Sequence, residues 1–291
     1  MTTGRYAVMW SGGKDSALAV ARAREDGLEI GALLNFIDEA TRRVRFHATR
    51  AELIAAQARA IGTPLRQFAT TWPSYEATFR TALGDLATEG FTGVILGDIH
   101  LTDVRAWYEE RVRAAGLLHV EPLWGGSPPD LVREFVARGG RAVITCCEVA
   151  RLDASWLGRV IDPGSVGELV AEPIDACGEN GEYHSFAFAG PIFREEVGWV
   201  AGPKHLEEGF LQLELLAPAE AVRETVREVI ARERGLVAAT VARTPKAWGE
   251  LAAKAVVAHR ERLGRALSEG ERRAVWDSLW REAHTAEDPA G

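Results

Sequence analysis

The stretch RYAVMWSGGKDSALAVARARE, residues 5–25, contains the pattern that decides the fold of this chain. It opens with a short apolar run of strand-forming residues, which two glycines end. The residues that follow carry apolar side chains at helical spacing, and Gly27 provides a C-terminal stop. This order of strand, glycine loop and helix places the loop at the carboxyl end of a strand, where an open α/β sheet binds its ligands.

Strands and helices continue to alternate from about residue 5 to about residue 147. The apolar runs LEIGALLNF and RAVITCC are continuous, as expected for strands that helices cover on both faces. Amphipathic segments separate the runs, and one of them has Ser127 as its N-cap and Pro128 at the first helical position. We therefore predict an α/β domain at residues 1–150. Its doubly wound, mostly parallel sheet has helices on both faces and RAVITCC as the final strand.

The pattern changes after about residue 150. HSFAFAGPIF and GFLQLELL alternate between apolar and other residues, which predicts antiparallel strands in a smaller region at residues 151–217. From Pro218 onward, segments rich in Arg, Glu and Ala predict a C-terminal helical extension at residues 218–291. Trp276 and Trp280 are four residues apart and share a helix face. They either dock this helix onto the domain or form a dimer contact, so a homodimer stays open.

Composition excludes several classes of protein. The 291 residues are 47% hydrophobic and 26% charged, as in ordinary globular proteins. No apolar run approaches the roughly 20 residues that span a bilayer, and the first residues lack the pattern of a secretory signal. We expect no membrane partner and a cytoplasmic location. A net charge of −8 argues against a nucleic-acid partner.

Cysteine and lysine are both scarce. Cys146, Cys147 and Cys177 make no disulfide framework, and whether any of them takes part in chemistry stays open. The basic residues are mostly arginine, and lysine occurs only at positions 14, 204, 246 and 254. Together with abundant alanine and glycine, this composition indicates a GC-rich bacterial genome. Because lysine is so rare in this chain, we expect Lys14 within the glycine loop to have a specific role and not to be an ordinary surface residue.

The loop SGGKDS, residues 11–16, has the composition of an anion-binding site. Glycines let the backbone approach an anion closely, and the N–H groups at a helix start attract phosphate. Ser11 and Ser16 add hydroxyl donors, and the ammonium of Lys14 offsets negative charge. The spacing fits neither a Walker A loop nor G-x-G-x-x-G. Asp15 either holds a Mg²⁺ that bridges phosphates or caps the helix amides, and a plain tight turn is the alternative for the whole loop.

A second unusual stretch is CGENGEYHS, residues 177–185, which crowds two carboxylates, an amide and an imidazole together. If a strand begins at Tyr183, Glu182 and His184 point to the same face. That face could bind an amine, a metal or a polar substrate, and either group could move a proton. The alternative is a surface β-turn with Asn180 and Gly181 at its corner.

Both stretches resemble motifs of one known group of enzymes. SGGKDS resembles the S-G-G-x-D-S pyrophosphate loop of the N-type ATP pyrophosphatases, or adenine nucleotide alpha hydrolases, whose fold is HUP-like. GENGEYHS followed by GPIF resembles the hallmark of the diphthine–ammonia ligase family and its bacterial relatives, with Ser185 where Thr is usual. The resemblance runs from about Arg5 to about Leu216 and includes, in family order, FHATR, LGDIHLTDVRAWYEE, EPLWG and WLGRVID.

The resemblance implies an ATP-dependent amide ligase. A carboxylate would attack the α-phosphate, pyrophosphate would leave, and ammonia would displace AMP from the acyl-adenylate. In the named enzyme the carboxylate belongs to diphthine, a modified histidine of an elongation factor, whereas a bacterial member would use another acceptor, small molecules included. The alternatives are an adenylating enzyme of cobalamin-related metabolism or tRNA modification, and a non-catalytic protein that binds adenine nucleotides.

By motif match, the resemblance also assigns residues to roles. The ATP-binding residues would be Ser11, Gly12, Gly13, Lys14, Asp15 and Ser16, with Gly97 and Asp98 beside them. The substrate or ammonia side would be formed by His47, Arg50, Glu179, Asn180, Glu182 and His184. The catalytic residues among these would be Lys14, Asp15, Glu182 and His184, with Asp15 as the Mg²⁺ ligand.

Overall fold

The computed structural model of the chain describes residues 4–44 and 49–285. The chain divides into two units, one formed by residues 1–197 and 203–214 and the other by residues 198–202 and 215–291. The predicted three-part division at residues 150 and 217 stays a prediction.

The first unit contains the predicted parallel sheet. Within the described residues this sheet has the strand order β3-β2-β1-β4-β5, and every neighbouring pair is parallel. Its strands are β1 (Arg5–Met9), β2 (Glu29–Asp38), β3 (Leu65–Thr70), β4 (Gly93–Ile95) and β5 (Leu118–Val120). The direction of the strand order reverses between β1 and β4, which opens a crevice at their carboxyl ends. The loop at residues 11–16 therefore stands at this crevice, and the predicted fold class is confirmed.

Helices flank this sheet as predicted. They are α1 (Lys14–Glu25), α2 (Ala51–Ile61), α3 (Tyr75–Thr88), α4 (Thr102–Ala114) and α5 (Pro128–Ala137). One core cluster packs the strand residues Leu34 and Val94 against Phe79 and Leu83 of α3 and Val112 of α4. Burial of these apolar side chains stabilises the packing of the helices against the sheet. This packing holds in position the strand ends that carry the candidate site.

The predicted position of RAVITCC was wrong, because this strand belongs to a second sheet. It forms β6 (Arg141–Glu148), which pairs antiparallel with β7 (Val160–Ile161), β8 (Tyr183–Ala189) and β10 (Phe210–Leu216). A continuous apolar run is typical of any strand buried on both faces, and β6 is buried along its centre. The run therefore predicted a central strand correctly but could not show which sheet contains it.

Three elements of this region, β7 among them, were not expected from the sequence. The other two are the short helix α6 (Val166–Ala171) and the strand β9 (Val200–Glu207), which lies beside β10 at the end of the strand order. Pro203 lies within β9, and proline has no N–H for a ladder, so the sequence pattern predicts no strand there. An edge strand accepts proline because one of its sides has no neighbour.

The second unit contains the predicted C-terminal helices α7 (Pro218–Arg232), α9 (Ala247–Leu263) and α10 (Glu269–Thr285), and also α8 (Arg234–Val241). Its apolar core includes Val226, Leu251 and Leu279. Trp276 and Trp280 remain 42% and 50% exposed, so α10 docks mainly through the neighbouring face that carries Leu279. Among the described helices, none combines the length and the apolar character needed to cross a membrane.

Candidate active site

A cleft of about 1020 Å³ lies at the carboxyl ends of the parallel strands. Its lining brings together three sequence-distant segments: Ser11, Lys14, Asp15 and Ser16; Gly97 and Asp98; and Cys177, Gly178, Glu179, Tyr183, His184 and Ser185. Pockets for one small ligand span roughly 300 to 1,000 Å³. The cleft is at the upper end of this range, so it has room for a nucleotide with a second, smaller ligand.

The glycine loop is shaped by the turn between β1 and α1. Gly12 has a φ of +85°, which favours glycine, and Gly13 is the N-cap before Lys14 begins the helix. Ser11 Oγ accepts from Gly13 N at 3.3 Å, and Ser16 Oγ donates to Gly13 O at 3.0 Å. The first amides of a helix have no acceptor within the helix, so this turn presents donors to an anion.

Replacing Gly12 by alanine is expected to destabilise the fold by about 2 kcal/mol, since a side chain at a positive φ is strained. A Cβ at this position would also lie 2.6 Å from Ile54 Cδ1 and 2.7 Å from Gln57 Oε1. Urea unfolding of the variant measures the loss. Gly84→Ala in α3 is the matched control, because a Cβ there meets nothing within 4 Å. Equal stability of both variants would contradict the assigned loop conformation.

Lys14 places a buried ammonium beside the loop. Its side chain is only 3% exposed, and Nζ lies 2.8 Å from Asp15 Oδ2. Nζ also donates to Cys177 O and lies 4.7 Å from the centre of the Tyr183 ring. Burial alone would lower the pKa of Lys14, but Asp15 and Tyr183 raise it, and the net pKa is well above its usual value. Lys14 is therefore charged at neutral pH, and the Asp15 carboxylate has a cation beside it.

Two further carboxyl groups in the cleft have raised pKa values. Burial, and then the charge of Asp15, raises the pKa of Asp98 to about 6. Burial, with smaller contributions from Asp15 and Asp98, raises the pKa of Glu179 to about 7, although its Oε1 accepts from Ile99 N at 3.0 Å. Both groups therefore titrate close to neutral pH, as a general acid or base requires.

The donor set at the loop fits a magnesium ion. Mg²⁺ prefers oxygen ligands and is commonly held by one or two carboxylates together with substrate phosphates. Asp15 and Asp98 both line the cleft, and Asp98 Oδ2 is buried without a hydrogen-bond partner among the described residues. Within the same residues no group of three or more His, Cys, Asp or Glu is arranged for a metal. The fit therefore depends on phosphate oxygens as further ligands.

Glu182 lies in a position different from the one that strand alternation predicts, and Asn180 lies outside the cleft side to which the motif match assigns it. Glu182 is fully buried, and it accepts from Arg151 Nη2 at 2.9 Å, Asn180 N at 3.1 Å and Asp175 N at 3.2 Å. The described lining of the cleft includes His184 but neither Glu182 nor Asn180. Because β8 begins at Tyr183, Glu182 lies in the preceding turn, where alternation does not apply. The geometry suits Glu182 to holding the turn that carries Glu179.

The β2–α2 segment contributes less to the described cleft than the motif match predicts. Arg50 is the N-cap residue of α2, and its Nε donates to Glu214 Oε1 at 2.7 Å. Arg43 also pairs with Glu214. These contacts join the segment to β10, and Arg50 is not part of the described cleft lining. His47 lies outside the described residues, so its predicted role stays a prediction.

The matches to known families agree with this site. The chain matches the family model described as diphthamide synthase N-terminal domain over residues 4–119 and the corresponding C-terminal domain over residues 127–216. The chain belongs to the diphthamide synthase family. The glycine loop lies in the first of these domains and the GENGEYHS stretch in the second, so the cleft is built from both.

Two curated relatives carry the name diphthine–ammonia ligase. The protein of Mus musculus is 25% identical over 218 residues, which cover 66% of this chain and 82% of the relative. The protein of Rattus norvegicus is 25% identical over 220 residues with the same coverage. The family that the two motifs indicated is thus confirmed.

The sequence patterns do not predict an aromatic wall that lines part of the cleft. It consists of Trp72, Tyr75, Trp107 and Tyr108, which come from α3, α4 and the loop before α3. The hydroxyl groups of Tyr75 and Tyr108 lie 2.7 Å apart, and Trp72 is 69% exposed. Aromatic residues at helical spacing predict only a core face, so nothing in the sequence distinguishes this wall from packing.

The cysteines of this diphthamide synthase relative have the properties of buried thiols. All three are buried and free. Burial raises the pKa of Cys146 to about 11 and of Cys147 to about 12, and it raises the pKa of Cys177 further. At neutral pH these groups are protonated, and the thiolate is the nucleophile in cysteine chemistry. Their environment therefore argues against a catalytic thiol.

Glu121 in the EPLWG motif provides a test of the electrostatics beside the cleft. Burial, then the charge of Asp98, raises the pKa of Glu121 from 4.5 to about 7. Arg105 Nε lies 3.0 Å and His119 Nε2 lies 3.2 Å from its oxygens, but neither approach has hydrogen-bond geometry. Between pH 4.5 and about pH 7 the folded state therefore binds more protons than the unfolded state, so the free energy of unfolding falls as the pH rises through this range.

We expect Glu121→Gln to become more stable relative to the parent chain as the pH rises. The difference in unfolding free energy should grow by about 2 kcal/mol, in favour of the variant, from pH 5 to pH 8. The amide removes the buried charge while keeping the shape of the side chain. Urea unfolding at both pH values measures this difference. A variant that is less stable than the parent chain at pH 8 would show that Glu121 is ionised and well paired.

Proposed function

We propose that this chain is an ATP-dependent amide ligase. A carboxylate of the acceptor attacks the α-phosphorus of ATP, which forms an acyl-adenylate and releases pyrophosphate; ammonia then attacks the acyl carbon and AMP leaves. The observation that carries the proposal is that one cleft is lined both by the glycine loop with Lys14 and by three carboxyl groups, those of Asp15, Asp98 and Glu179. The name of the mouse and rat relatives, diphthine–ammonia ligase, supports a ligase that uses ammonia.

The loop at residues 11–16 suits the role of binding the departing diphosphate. The first amides of α1 supply hydrogen-bond donors at the start of the helix, and the side chains of Ser11 and Ser16 line the same cleft. Lys14 supplies a charged ammonium, which offsets the negative charge that develops on the leaving pyrophosphate. Mg²⁺, when bound by Asp15 and Asp98, would supply further positive charge at the phosphates.

The second half of the cleft suits proton transfer from the amine. Ammonium must lose one proton before its nitrogen can attack, and the adduct must lose another before AMP leaves. Glu179 titrates near pH 7 and faces the same cleft, so it can accept a proton there. His184 and Ser185 complete this side. We propose a carboxylic acid as the acceptor class, either a small molecule or a modified histidine such as diphthine.

The products of ATP distinguish this reaction from others. The chain is incubated with ATP, Mg²⁺, ¹⁵N-ammonium and a panel of acceptors, which includes small carboxylic acids and an elongation factor that carries diphthine. We expect AMP and pyrophosphate in equal amounts and ¹⁵N in a new amide. Formation of ADP in place of AMP would overturn the proposal. An AMP yield that depends on added tRNA would favour the tRNA-modifying alternative.

A further inference from the structure

Gln57 is a fully buried polar side chain of α2 that contacts the glycine loop directly. Its Nε2 donates to Gly12 O at 2.8 Å and to Ala187 O at 2.6 Å. Its Oε1 accepts from Trp10 Nε1 at 2.9 Å. A single amide therefore joins the end of β1, the loop and β8, and both of its N–H donors are used.

These bonds fix the orientation of one peptide group. Gly12 O also accepts from Ala187 N at 2.8 Å, so two donors hold this carbonyl. The peptide group is planar and trans, so the carbonyl of Gly12 and the N–H of Gly13 point in opposite directions. Holding Gly12 O on the Gln57 side therefore directs the N–H of Gly13 to the other side, where it donates to Ser11 Oγ.

The same side chain connects the two halves of the cleft. β8 carries His184 and Ser185 into the lining, and Ser185 Oγ accepts from Lys14 N at 3.3 Å. Gln57 binds this strand at Ala187, two residues beyond Ser185. An apolar residue in its place would leave the buried carbonyl of Ala187 without this donor, and Gly12 O would keep only one of its two.

We propose that Gln57 is a positioning residue that holds the Gly12–Gly13 turn, and with it the start of α1, in the conformation that binds the diphosphate of the nucleotide. This inference rests on the proposed function, because it assumes that the loop binds that part of ATP. Gln57 has no role in the chemistry itself and acts through the loop. The expected consequence of its loss is weaker binding of the diphosphate, with little change in binding of a nucleotide that lacks it.

Calorimetric titration of the full chain with Mg²⁺ and ATP, pyrophosphate or AMP tests this role. Gln57→Met keeps the length of the side chain and removes all three hydrogen bonds. We expect the Kd values of pyrophosphate and ATP to rise about tenfold or more, since the loop amides lose their fixed direction. The Kd of AMP should stay unchanged within error. Equal weakening of AMP and pyrophosphate would show a general structural effect and overturn the inference.

Gln67→Met is the matched control. Gln67 also uses Nε2 to join two elements, at 3.2 Å from Asn35 Oδ1 and 3.1 Å from Ala51 O, but these bonds do not involve the loop. We expect its Kd for pyrophosphate to equal that of the parent chain. If the parent chain binds pyrophosphate and Gln57→Met binds it equally well, the inference alone fails. If the parent chain binds neither ATP nor pyrophosphate, the proposed function fails first.

Gln57→Glu provides a second test should Gln57→Met fold poorly. The introduced carboxyl group keeps an oxygen for Trp10, and when protonated it can donate to one of the two carbonyls. When ionised it opposes both. We therefore expect the ratio of its pyrophosphate Kd to that of the parent chain to rise between pH 5 and pH 8. A ratio that is constant over this range would contradict the positioning role.

Discussion

Replacing Lys14 by methionine is expected to slow pyrophosphate release from ATP by about 100- to 1000-fold, as for the loss of a preorganised electrostatic donor. The ammonium of Lys14 is almost fully buried beside the loop and remains charged. Methionine keeps the length of the side chain but removes this charge from the departing diphosphate. It also leaves the carboxylate of Asp15 without its cation, which adds a repulsion toward phosphate. Single-turnover measurements with saturating ATP separate this effect from weaker binding.

Lys254→Met is the control for this experiment. Lys254 lies on α9, outside the family match, and its Nζ pairs with Glu233 at 3.0 Å. Its side chain is 40% exposed, so its loss should leave the rate of pyrophosphate release unchanged. A Lys14→Met variant that is folded and reacts at the parent rate would remove the loop from the proposed function.

Replacing Glu182 by alanine is expected to lower the free energy of unfolding by about 3 kcal/mol, because it breaks a buried charged network on one side. The substitution leaves the guanidinium of Arg151 and the backbone amides of Asp175 and Asn180 without their acceptor. The side chain of Arg151 is 40% exposed, so water replaces part of its bond. The two amides lie in a part-buried turn and account for much of the loss.

Two further variants make this measurement specific. Glu182→Gln keeps one acceptor oxygen and should lose less stability than Glu182→Ala. Glu168→Ala removes a carboxylate that is 62% exposed and pairs with Arg159, and it should change stability by less than about 1 kcal/mol. Urea unfolding of the three variants ranks them. Equal stability of Glu182→Ala and Glu168→Ala would show that Glu182 does not hold the turn.

The parts of the fold that the sequence predicted well depend on local pattern. The order of β1, the loop and α1 follows from a strand run, two glycines and helical spacing, all within 21 residues. The predicted position of β6 was wrong, because a continuous apolar run carries no information about which strand pairs with it. The edge strand β9 was missed because Pro203 is tolerated only where one side of a strand is unpaired.

The candidate site was predicted in part, for a similar reason. Lys14, Asp15, Asp98, Glu179 and His184 do line one cleft, as the motifs indicated. Sequence patterns cannot show that the partner of Arg50 lies 164 residues away, or that burial raises the pKa of Asp98. Gln57 did leave a signal, as a lone amide on the buried face of α2 between Ile54 and Ile61. A polar side chain on such a face requires partners, and those partners proved to be the loop and β8.

The way in which Lys14 is surrounded has an evolutionary consequence. Its ammonium takes one contact from its own neighbour Asp15 and others from Cys177 and Tyr183, which belong to the other family domain. A gene fragment that encoded the first domain alone would carry the loop without these neighbours for its cation. We therefore expect the two domains to be inherited together, with few recombination events at their junction between distant homologues.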